Sequence, residues 1–513
     1  MFAAREPGAE LAGLPELEVG GLRESDARAL LDSALAGPLD ARVRDQIVAE
    51  AEGNPLALLE LPRAMTPAEL AGGFGLPGAA PLSERIEESF RRQLEVLPAQ
   101  AQRLLLLAAA EPYGDLPLVW RAAERLDIPV QAAAPAVDAA LVEFGARVRF
   151  RHPLLRSVCY RAASVADRQA VHGALAEATD PETAPERRAW HRALAVAGPD
   201  EEVAAELERS AGRAQARGGL AAAAAFLQRA AEFTSDPARR AERTLAAAQA
   251  SLQAGALDAA AELLAMAVAG PLDELQQARA ALLRGQIAFA SGGGGGAPAL
   301  LVKAAKQLEP LDAALARQTY LDAWLAAMFA RRFAGAGDLH EVSRAARSAP
   351  PPAGAPSPSD LLLEGLAVLV TEGRAEAAPL LRRAARIFAE EEISMAELLR
   401  WGFLAVIAAI MVWDEQYWHA IEVRQLRSCR EAGLLAQLVI FVNSTAILMT
   451  WCGDFAAADS LVAEAEAIAA ATGTRFAPFA ALWRAGFRGA EAEAAPLIEA
   501  VIKDSRATGQ GLA

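Results

Sequence analysis

Helical spacing of apolar residues dominates the chain from about residue 186 onward, where one amphipathic segment follows another with short breaks. A template recurs there: a glycine, then alanine after five residues, leucine after eight and alanine after twelve. The four copies begin at Gly219, Gly255, Gly373 and Gly453. The glycine ends one helix, and the small residues let the next helix pack closely against it. The pattern therefore predicts a stack of helical hairpins.

The spacing of the copies indicates that further hairpins lie between them. The first two glycines are 36 residues apart, and the later gaps of 118 and 80 residues are near multiples of roughly 40. We therefore expect degenerate copies in the gaps, one of them carrying Leu301 and Ala305. Such a period is typical of tetratricopeptide-type repeats, so the sequence predicts an all-α chain with a tetratricopeptide-like α-solenoid over residues 186–513.

Upstream of the solenoid the pattern predicts shorter helices and one strand. Ser25 is placed to cap a first helix. The run 146–151 alternates with period two, which is typical of a half-exposed strand, and Pro153 opens another helix after it. Several helices with one short hairpin predict a winged-helix-like module. Its strand arginines are Arg147, Arg149 and Arg151. They are the best case for DNA contact in this chain, but a solvated strand edge is the simpler interpretation.

Composition and charge narrow the class of protein. The 513 residues include 65 acidic and 50 basic side chains, for a formal charge of -15. Such a surface repels phosphate backbones, so we expect no direct nucleic-acid binding by this chain. The longest apolar stretch, 402–412, is far short of a bilayer span, and no signal peptide is evident, so we expect a cytoplasmic protein with no membrane contact. Three widely spaced cysteines favour neither a disulfide framework nor a zinc site.

Catalytic motifs are missing from the sequence. None of the three lysines, Lys303, Lys306 and Lys503, is followed by serine or threonine, so there is no Walker A loop. The glycine run 292–296 leads into Ala297 and Pro298, which favours a loop over a phosphate cradle, and the proline-rich stretch 349–358 is also interpreted as a loop. We therefore expect that the chain alone is not an enzyme and holds no cofactor or metal.

One aromatic group is a candidate ligand site. His419 lies close in sequence to Trp413, Tyr417 and Trp418, which are spaced to line a groove on one helix. Aromatic side chains at helical spacing more often pack between repeats, and we prefer that interpretation.

Four short runs together resemble a known family: 2–6 (FAARE), 53–57 (GNPLA), 150–156 (FRHPLLR) and 187–191 (RRAWH). With them the chain resembles the large LuxR-type transcriptional regulators that carry a STAND-class, AAA-like NTPase domain, similar to the maltose regulator. In that family an NTPase core, a helical lid, a winged helix, a tetratricopeptide-like superhelix and a DNA-binding helix-turn-helix follow one another. The resemblance covers essentially the whole chain, which lacks the P-loop core and the C-terminal helix-turn-helix.

The resemblance implies a division into four parts. Residues 1–19 correspond to a remnant of the NTPase α/β core, 20–79 to the helical lid, 80–185 to the winged-helix-like domain and 186–513 to the superhelix. The chain is then a gene fragment, a split-gene product or a functional truncated protein.

The resemblance also implies nucleotide-facing residues. Arg5 resembles the sensor arginine, Gly53, Asn54 and Pro55 the lid motif beside the base, and His152 the winged-helix histidine that contacts the diphosphate. ATP or ADP is the cofactor of the full-length family. Because the P-loop and the magnesium site are missing, the plainer interpretations are preferred for this chain alone: an exposed arginine, a helix stop followed by a helix start, and a capping histidine.

Three functions remain open. The preferred one is the signal-sensing, regulatory portion of such a regulator, whose repeats bind an inducer or a protein partner on the concave surface of the solenoid. An alternative is the ATPase half of a split regulator that needs a P-loop-bearing partner chain. The third is a free-standing tetratricopeptide scaffold. A DNA-binding partner chain is also compatible with the first function.

Overall fold

The computed structural model describes residues 21–34, 84–151, 153–217, 219–292, 295–330, 338–352, 354–432, 435–472 and 477–508, with isolated positions between 44 and 58. Within these ranges the chain is helical apart from one small β-hairpin. The predicted all-α class is confirmed. Residues 1–20 and most of 35–83 are outside the described part, so the core remnant and the lid stay predictions.

The N-terminal part consists of short helices around one β-hairpin. Its helices are α1 (Glu24–Ala34), α2 (Glu84–Glu95), α3 (Ala99–Ala110), α4 (Leu116–Arg125), α5 (Ala134–Asp138), α6 (Pro153–Ala162) and α7 (Val165–Ala178), with a 3₁₀ turn at Val130–Ala133. Strands β1 (Val142–Phe144) and β2 (Val148–Phe150) pair antiparallel between α5 and α6. The predicted helix start at Pro153 is confirmed.

Helix α3 is the centre of this part. Leu104, Leu105 and Leu107 lie on different sides of the helix and are all fully buried, as expected for a helix that other elements surround. Helices α4, α6 and α7 pack against it. The arrangement is winged-helix-like, with the β-hairpin after the helices as the wing.

Two details of the N-terminal prediction are settled by the side chains. The predicted cap at Ser25 is wrong: α1 begins at Glu24, and the Ser25 hydroxyl lies 3.4 Å from the Asp26 carboxylate instead of bonding a backbone amide. The arginines Arg147, Arg149 and Arg151 are exposed, and Arg149 lies opposite Glu143 in the hairpin. This geometry is that of a solvated strand edge.

The solenoid begins with α8 (Pro185–Ala195), and eight antiparallel hairpins follow in the described residues. They are α9 (Glu201–Ala216) with α10 (Leu220–Glu232), α11 (Pro237–Gln253) with α12 (Leu257–Val268), α13 (Glu274–Ala290) with α14 (Ala297–Leu308), α15 (Ala313–Ala330) with α16 (Leu339–Ser348), α17 (Pro358–Thr371) with α18 (Arg374–Glu390), α19 (Met395–Met411) with α20 (Glu415–Ala432), α21 (Leu435–Trp451) with α22 (Phe455–Thr472), and α23 (Phe479–Arg488) with α24 (Glu491–Thr508).

All four template glycines lie at the turn inside a hairpin. Gly255, Gly373 and Gly453 have φ of 80°, 108° and 79°, a backbone region that side chains disfavour, whereas Gly219 has φ of −80° and precedes α10. The expected degenerate copy is present in α14, where Leu301 and Ala305 are buried. The template prediction is therefore confirmed, and the glycine-rich and proline-rich segments connect helices as expected.

In two hairpins the leucine of the template fits into a gap left by a glycine on the first helix. A Cβ atom at Gly285 of α13 would lie 2.7 Å from Leu301 Cδ2, and one at Gly365 of α17 would lie 2.8 Å from Leu381 Cδ2. Both distances are far below van der Waals contact. In these two hairpins the glycine thus allows the two helices to approach closely.

Candidate functional site

The predicted nucleotide-facing residues fall almost entirely outside the described part of the chain. Arg5, Gly53, Asn54 and His152 lie there, and their roles stay predictions. Pro55 is described only as an exposed residue in a helical position. Among the described residues, the candidate site lies in the solenoid.

Four polar side chains meet on the first helices of the middle hairpins, and we call them the Asp322 cluster: Gln286, Gln318, Asp322 and Arg400. The Arg400 guanidinium donates to Asp322 Oδ2 at 3.1 Å and to Gln318 Oε1 at 3.2 Å. The Gln286 amide donates to the same Asp322 oxygen at 2.9 Å. Helices α13, α15 and α19 are thereby tied together at one carboxylate.

The cluster joins hairpins that are not neighbours in sequence. Arg400 of α19 reaches Asp322 of α15 although the whole α17–α18 hairpin lies between them in the chain. Helix α17 has buried residues on every side, including Leu361, Leu362 and Leu363, because α15 and α19 both pack against it. The face formed by the first helices is therefore curved enough for α15 and α19 to meet over α17.

Three phenyl rings continue the cluster along the same helices, and we call them the phenylalanine row. The Phe289 and Phe329 ring centroids are 5.9 Å apart, as are those of Phe329 and Phe403. All three rings are half-buried. Polar and aromatic groups thus lie side by side on one face, the combination that orients a ligand and buries its apolar part.

The electrostatics of the cluster leave unused hydrogen-bonding capacity. Burial raises the pKa of the Asp322 carboxyl, while the Arg400 guanidinium and the Gln286 amide oppose that rise. Gln286 Oε1 is buried and has no hydrogen-bond partner within the described structure. The Asp322 side chain is 15% exposed and that of Arg400 is 41% exposed. A ligand in solvent can therefore reach the Arg400 guanidinium and the exposed edge of the Asp322 carboxylate, whereas the Gln286 oxygen is covered.

The aromatic group around His419 divides into two. Tyr417 and Trp418 are half-buried against the core, and the Trp418 indole donates to Glu422 Oε1 at 3.1 Å. His419 is exposed, and Trp413 is 73% exposed. The preferred core interpretation therefore fits Tyr417 and Trp418, whereas Trp413 belongs to a surface group.

The winged-helix-like part and the solenoid are joined by a buried polar chain. Tyr160 Oη lies 2.9 Å from His172 Nε2, and His172 Nδ1 lies 2.9 Å from His191 Nδ1. Burial lowers the pKa of His172 to about 3 and lowers that of His191 well below its usual range. Both rings are therefore neutral at pH 7. In the hydrogen bond between them, one ring donates and the other accepts.

An ion pair reinforces this junction. Arg187 of α8 donates to Asp115 at 3.2 Å and lies 3.5 Å from the fully buried Glu111 carboxylate. Two of the residues in the run 187–191 that carried the family resemblance, Arg187 and His191, thus contact the winged-helix-like part.

Residue spacing did not reveal the Asp322 cluster. A signal was nevertheless present, since Asp322 and Arg400 are charged residues inside the otherwise apolar runs of α15 and α19. A charge in such a run is costly unless it is paired. Among the described residues, none of the helices combines the length and the apolar character of a membrane span, and no three potential ligand side chains are grouped to hold a metal.

No protein-family model matches the chain, and no curated protein matches it significantly. Among solved structures it is similar to a signal transduction ATPase with numerous domains (STAND) that has a tetratricopeptide repeat sensor, from Pyrococcus horikoshii, at 12% identity over 95% of this chain and 72% of that chain, with a TM-score of 0.37. It is also similar to aspartyl phosphate phosphatase F from Bacillus subtilis, at 13% identity over 86% of this chain and 98% of that chain (TM-score 0.30). A Rap protein complexed with competence and sporulation factor matches at 12% identity over 82% and 99% of the two chains (TM-score 0.27). At TM-scores this low, the alignments carry no conclusion about this chain.

Proposed function

We propose that this chain is the signal-sensing, regulatory portion of a LuxR-type transcription regulator and that its helical repeats bind an inducer or a protein partner. The observation that carries the proposal is the Asp322 cluster beside the phenylalanine row, on the face formed by the first helices. The four sequence runs shared with the regulators support the family assignment. Repeat solenoids bind partners through such continuous faces.

The cluster supplies a route from binding to conformational change. A ligand that hydrogen-bonds Asp322 competes with Arg400, whose ion pair with Asp322 joins α15 and α19 beside the Phe329–Phe403 ring contact. Because each hairpin packs mainly on its neighbours, a change in the angle at this point is passed along the stack to α8. There Arg187 and His191 connect the solenoid to the winged-helix-like part. Binding and the position of that part are thereby coupled.

We propose further that the chain alone acts by binding and not by catalysis. The sequence has no Walker A loop, so nucleotide binding requires a second chain that carries one. Titration of ATP against the chain alone and against the chain with such a partner separates this proposal from the split-ATPase alternative. Micromolar affinity of the isolated chain for ATP would contradict the proposal.

The binding site is tested by thermal unfolding against a panel of small polar metabolites and short peptides. We expect a member of the panel to raise Tm of the wild-type chain, because ligand at a hundred times its Kd stabilises a folded protein by about 2.7 kcal/mol. Asp322→Asn should abolish that shift, since the amide replaces the charge that fixes Arg400. Asp258→Asn, at an exposed position of α12, is the matched control and should retain it. An undiminished shift in Asp322→Asn would place the ligand elsewhere.

A further inference from the structure

The turn between α19 and α20 has tryptophan where comparable hairpin turns have glycine. Gly255, Gly373 and Gly453 occupy the left-handed backbone region in their turns, and Trp413 occupies it too, with φ of 56°. A Cβ atom is disfavoured there, so the tryptophan costs backbone strain that glycine would avoid. It also exposes 73% of its surface to solvent. The turn itself does not require this side chain, because glycine forms the corresponding turn in the other hairpins.

Trp413 is part of an exposed aromatic surface, which we call the tryptophan ledge: Trp413, Trp451, Trp483 and Phe487. The Trp451 ring centroid is 6.4 Å from that of Trp413, 5.6 Å from that of Trp483 and 5.4 Å from that of Phe487. The last three residues are 44%, 40% and 48% exposed. Three of the chain's eight tryptophans thus lie together on the surface. Clustered exposed aromatic rings are characteristic of docking sites.

The rim of the ledge is acidic. Asp414 and Glu415 follow Trp413, and Asp454 follows Trp451 after two residues. In the described part of the chain none of these three carboxylates forms a salt bridge; Glu415 accepts a hydrogen bond from the Cys452 thiol at 3.3 Å. Burial raises the pKa of that thiol, and the charges of Glu415 and Asp454 raise it further. The two turns thus carry three carboxylates without a salt bridge in the described structure, whereas Arg484 and Arg488 of α23 are already paired with Asp459.

One cation already uses this surface. The Arg374 guanidinium lies 5.9 Å from the centroid of the Trp413 ring. The face of an indole ring carries negative potential and attracts a guanidinium, and nearby carboxylates strengthen that attraction. An anionic partner such as nucleic acid would be repelled by the same carboxylates.

We propose that the tryptophan ledge docks an arginine-bearing, net-cationic segment of a partner protein. Guanidinium groups stack on the indole faces and pair with Asp414, Glu415 and Asp454, while apolar side chains of the segment cover Phe487. The ledge is formed by residues at hairpin turns and on α23, whereas the Asp322 cluster lies on α13, α15 and α19. The proposal is therefore independent of the ligand site proposed above.

Fluorescence anisotropy of labelled peptides with the full chain tests the proposal. The probes are GRLRRLRG and its acidic counterpart GELEELEG, with the neutral proline-rich APPPAGAPSP as a third. We expect only the arginine peptide to bind, with an affinity that falls as salt is raised. Equal binding of the acidic or the proline-rich peptide would overturn the proposal.

Trp413→Gly separates a docking role from a structural one. This variant should weaken the binding of the arginine peptide at least tenfold without lowering Tm of the chain, because glycine accepts the left-handed backbone without strain. The double variant Glu415→Gln, Asp454→Asn should also weaken the binding of the arginine peptide. Met266→Ala removes an exposed apolar side chain of α12 far from the ledge and is the control that keeps full affinity. Unchanged binding in Trp413→Gly, or lost binding in Met266→Ala, would contradict the ledge as the site. Asp322→Asn should leave peptide binding intact, which distinguishes this site from the first.

Discussion

At the scale of single residues, the side chains that matter most here violate the local pattern. Asp322 and Arg400 place charge inside apolar helices, and Trp413 replaces the glycine that the hairpin turn favours. The two charges were visible in the sequence as exceptions to the apolar pattern, whereas the left-handed turn at Trp413 was not. The pairing of the two charges was not visible either, because Asp322 and Arg400 are 78 residues apart and only the packing of three helices brings them together.

The buried histidines make the junction sensitive to acid. In the folded chain the pKa of His172 is lowered to about 3, whereas an unfolded histidine has a pKa of about 6.5. Below pH 6.5 the unfolded state therefore binds more protons, and stability falls as the pH decreases toward 3, by up to about 1.4 kcal/mol per pH unit for each such histidine. Urea unfolding at pH 7.5, 6.0 and 5.0 measures this slope.

Two histidine variants show whether the junction causes this dependence of the free energy of unfolding on pH. His172→Gln should show a shallower fall than the wild type, because it removes one of the titrating groups. His419→Gln, which removes an exposed histidine of α20, should keep the slope of the wild type. The same slope in His172→Gln and the wild type would show that the pair does not control acid stability.

At the scale of elements, the sequence predicted the hairpins because close packing restricts residue size at fixed spacing. The template found four hairpins and anticipated a fifth through Leu301 and Ala305. It did not find the hairpins α15–α16, α19–α20 and α23–α24, and at α19–α20 all four template positions differ: Trp413, Trp418, Ile421 and Gln425. The exact start of α1 depended on backbone contacts that the pattern does not contain. The β-hairpin and the helix after it were predicted correctly.

Two glycines in first helices provide a matched test of this packing. Gly285→Ala should destabilise the chain by about 1–3 kcal/mol, because its Cβ would overlap Leu301. Gly212→Ala, at an exposed position of α9 with no atom within 4 Å of the added Cβ, should stabilise it by about 0.5–1 kcal/mol through helix propensity. Urea unfolding of both variants and the wild type shows whether each substitution raises or lowers the free energy of unfolding. A stabilising Gly285→Ala would mean that α13 and α14 are not in close contact.

At the scale of the whole molecule, the chain is a stack of hairpins whose first helix, α8, is tied to a winged-helix-like part, and we propose that one face of the stack binds a signal. The all-α class and the solenoid followed from the sequence, because periodicity and residue size are local properties. The curvature that brings α15 to α19 did not follow, since it is the sum of small rotations between successive hairpins. The candidate site depends on that curvature, so it became visible only in three dimensions.

The net charge of -15 acts at the same scale. A long-range negative field favours cationic partners and disfavours phosphate backbones. The carboxylates at the rim of the tryptophan ledge contribute to this negative charge. They lie on a different part of the solenoid from the Asp322 cluster.

We propose above that the ligand of this chain binds at the face around Asp322. Photo-cross-linking in cells of the source organism tests it most directly, with p-benzoylphenylalanine introduced at Gln318 in the cluster or, as a control, at the exposed Met266 of α12. Intact-mass spectrometry of the purified chain then shows any adduct. We expect an adduct of defined mass from position 318 and none from position 266, and we expect Asp322→Asn to remove the first. No adduct at 318, or the same adduct at both positions, would contradict the proposal.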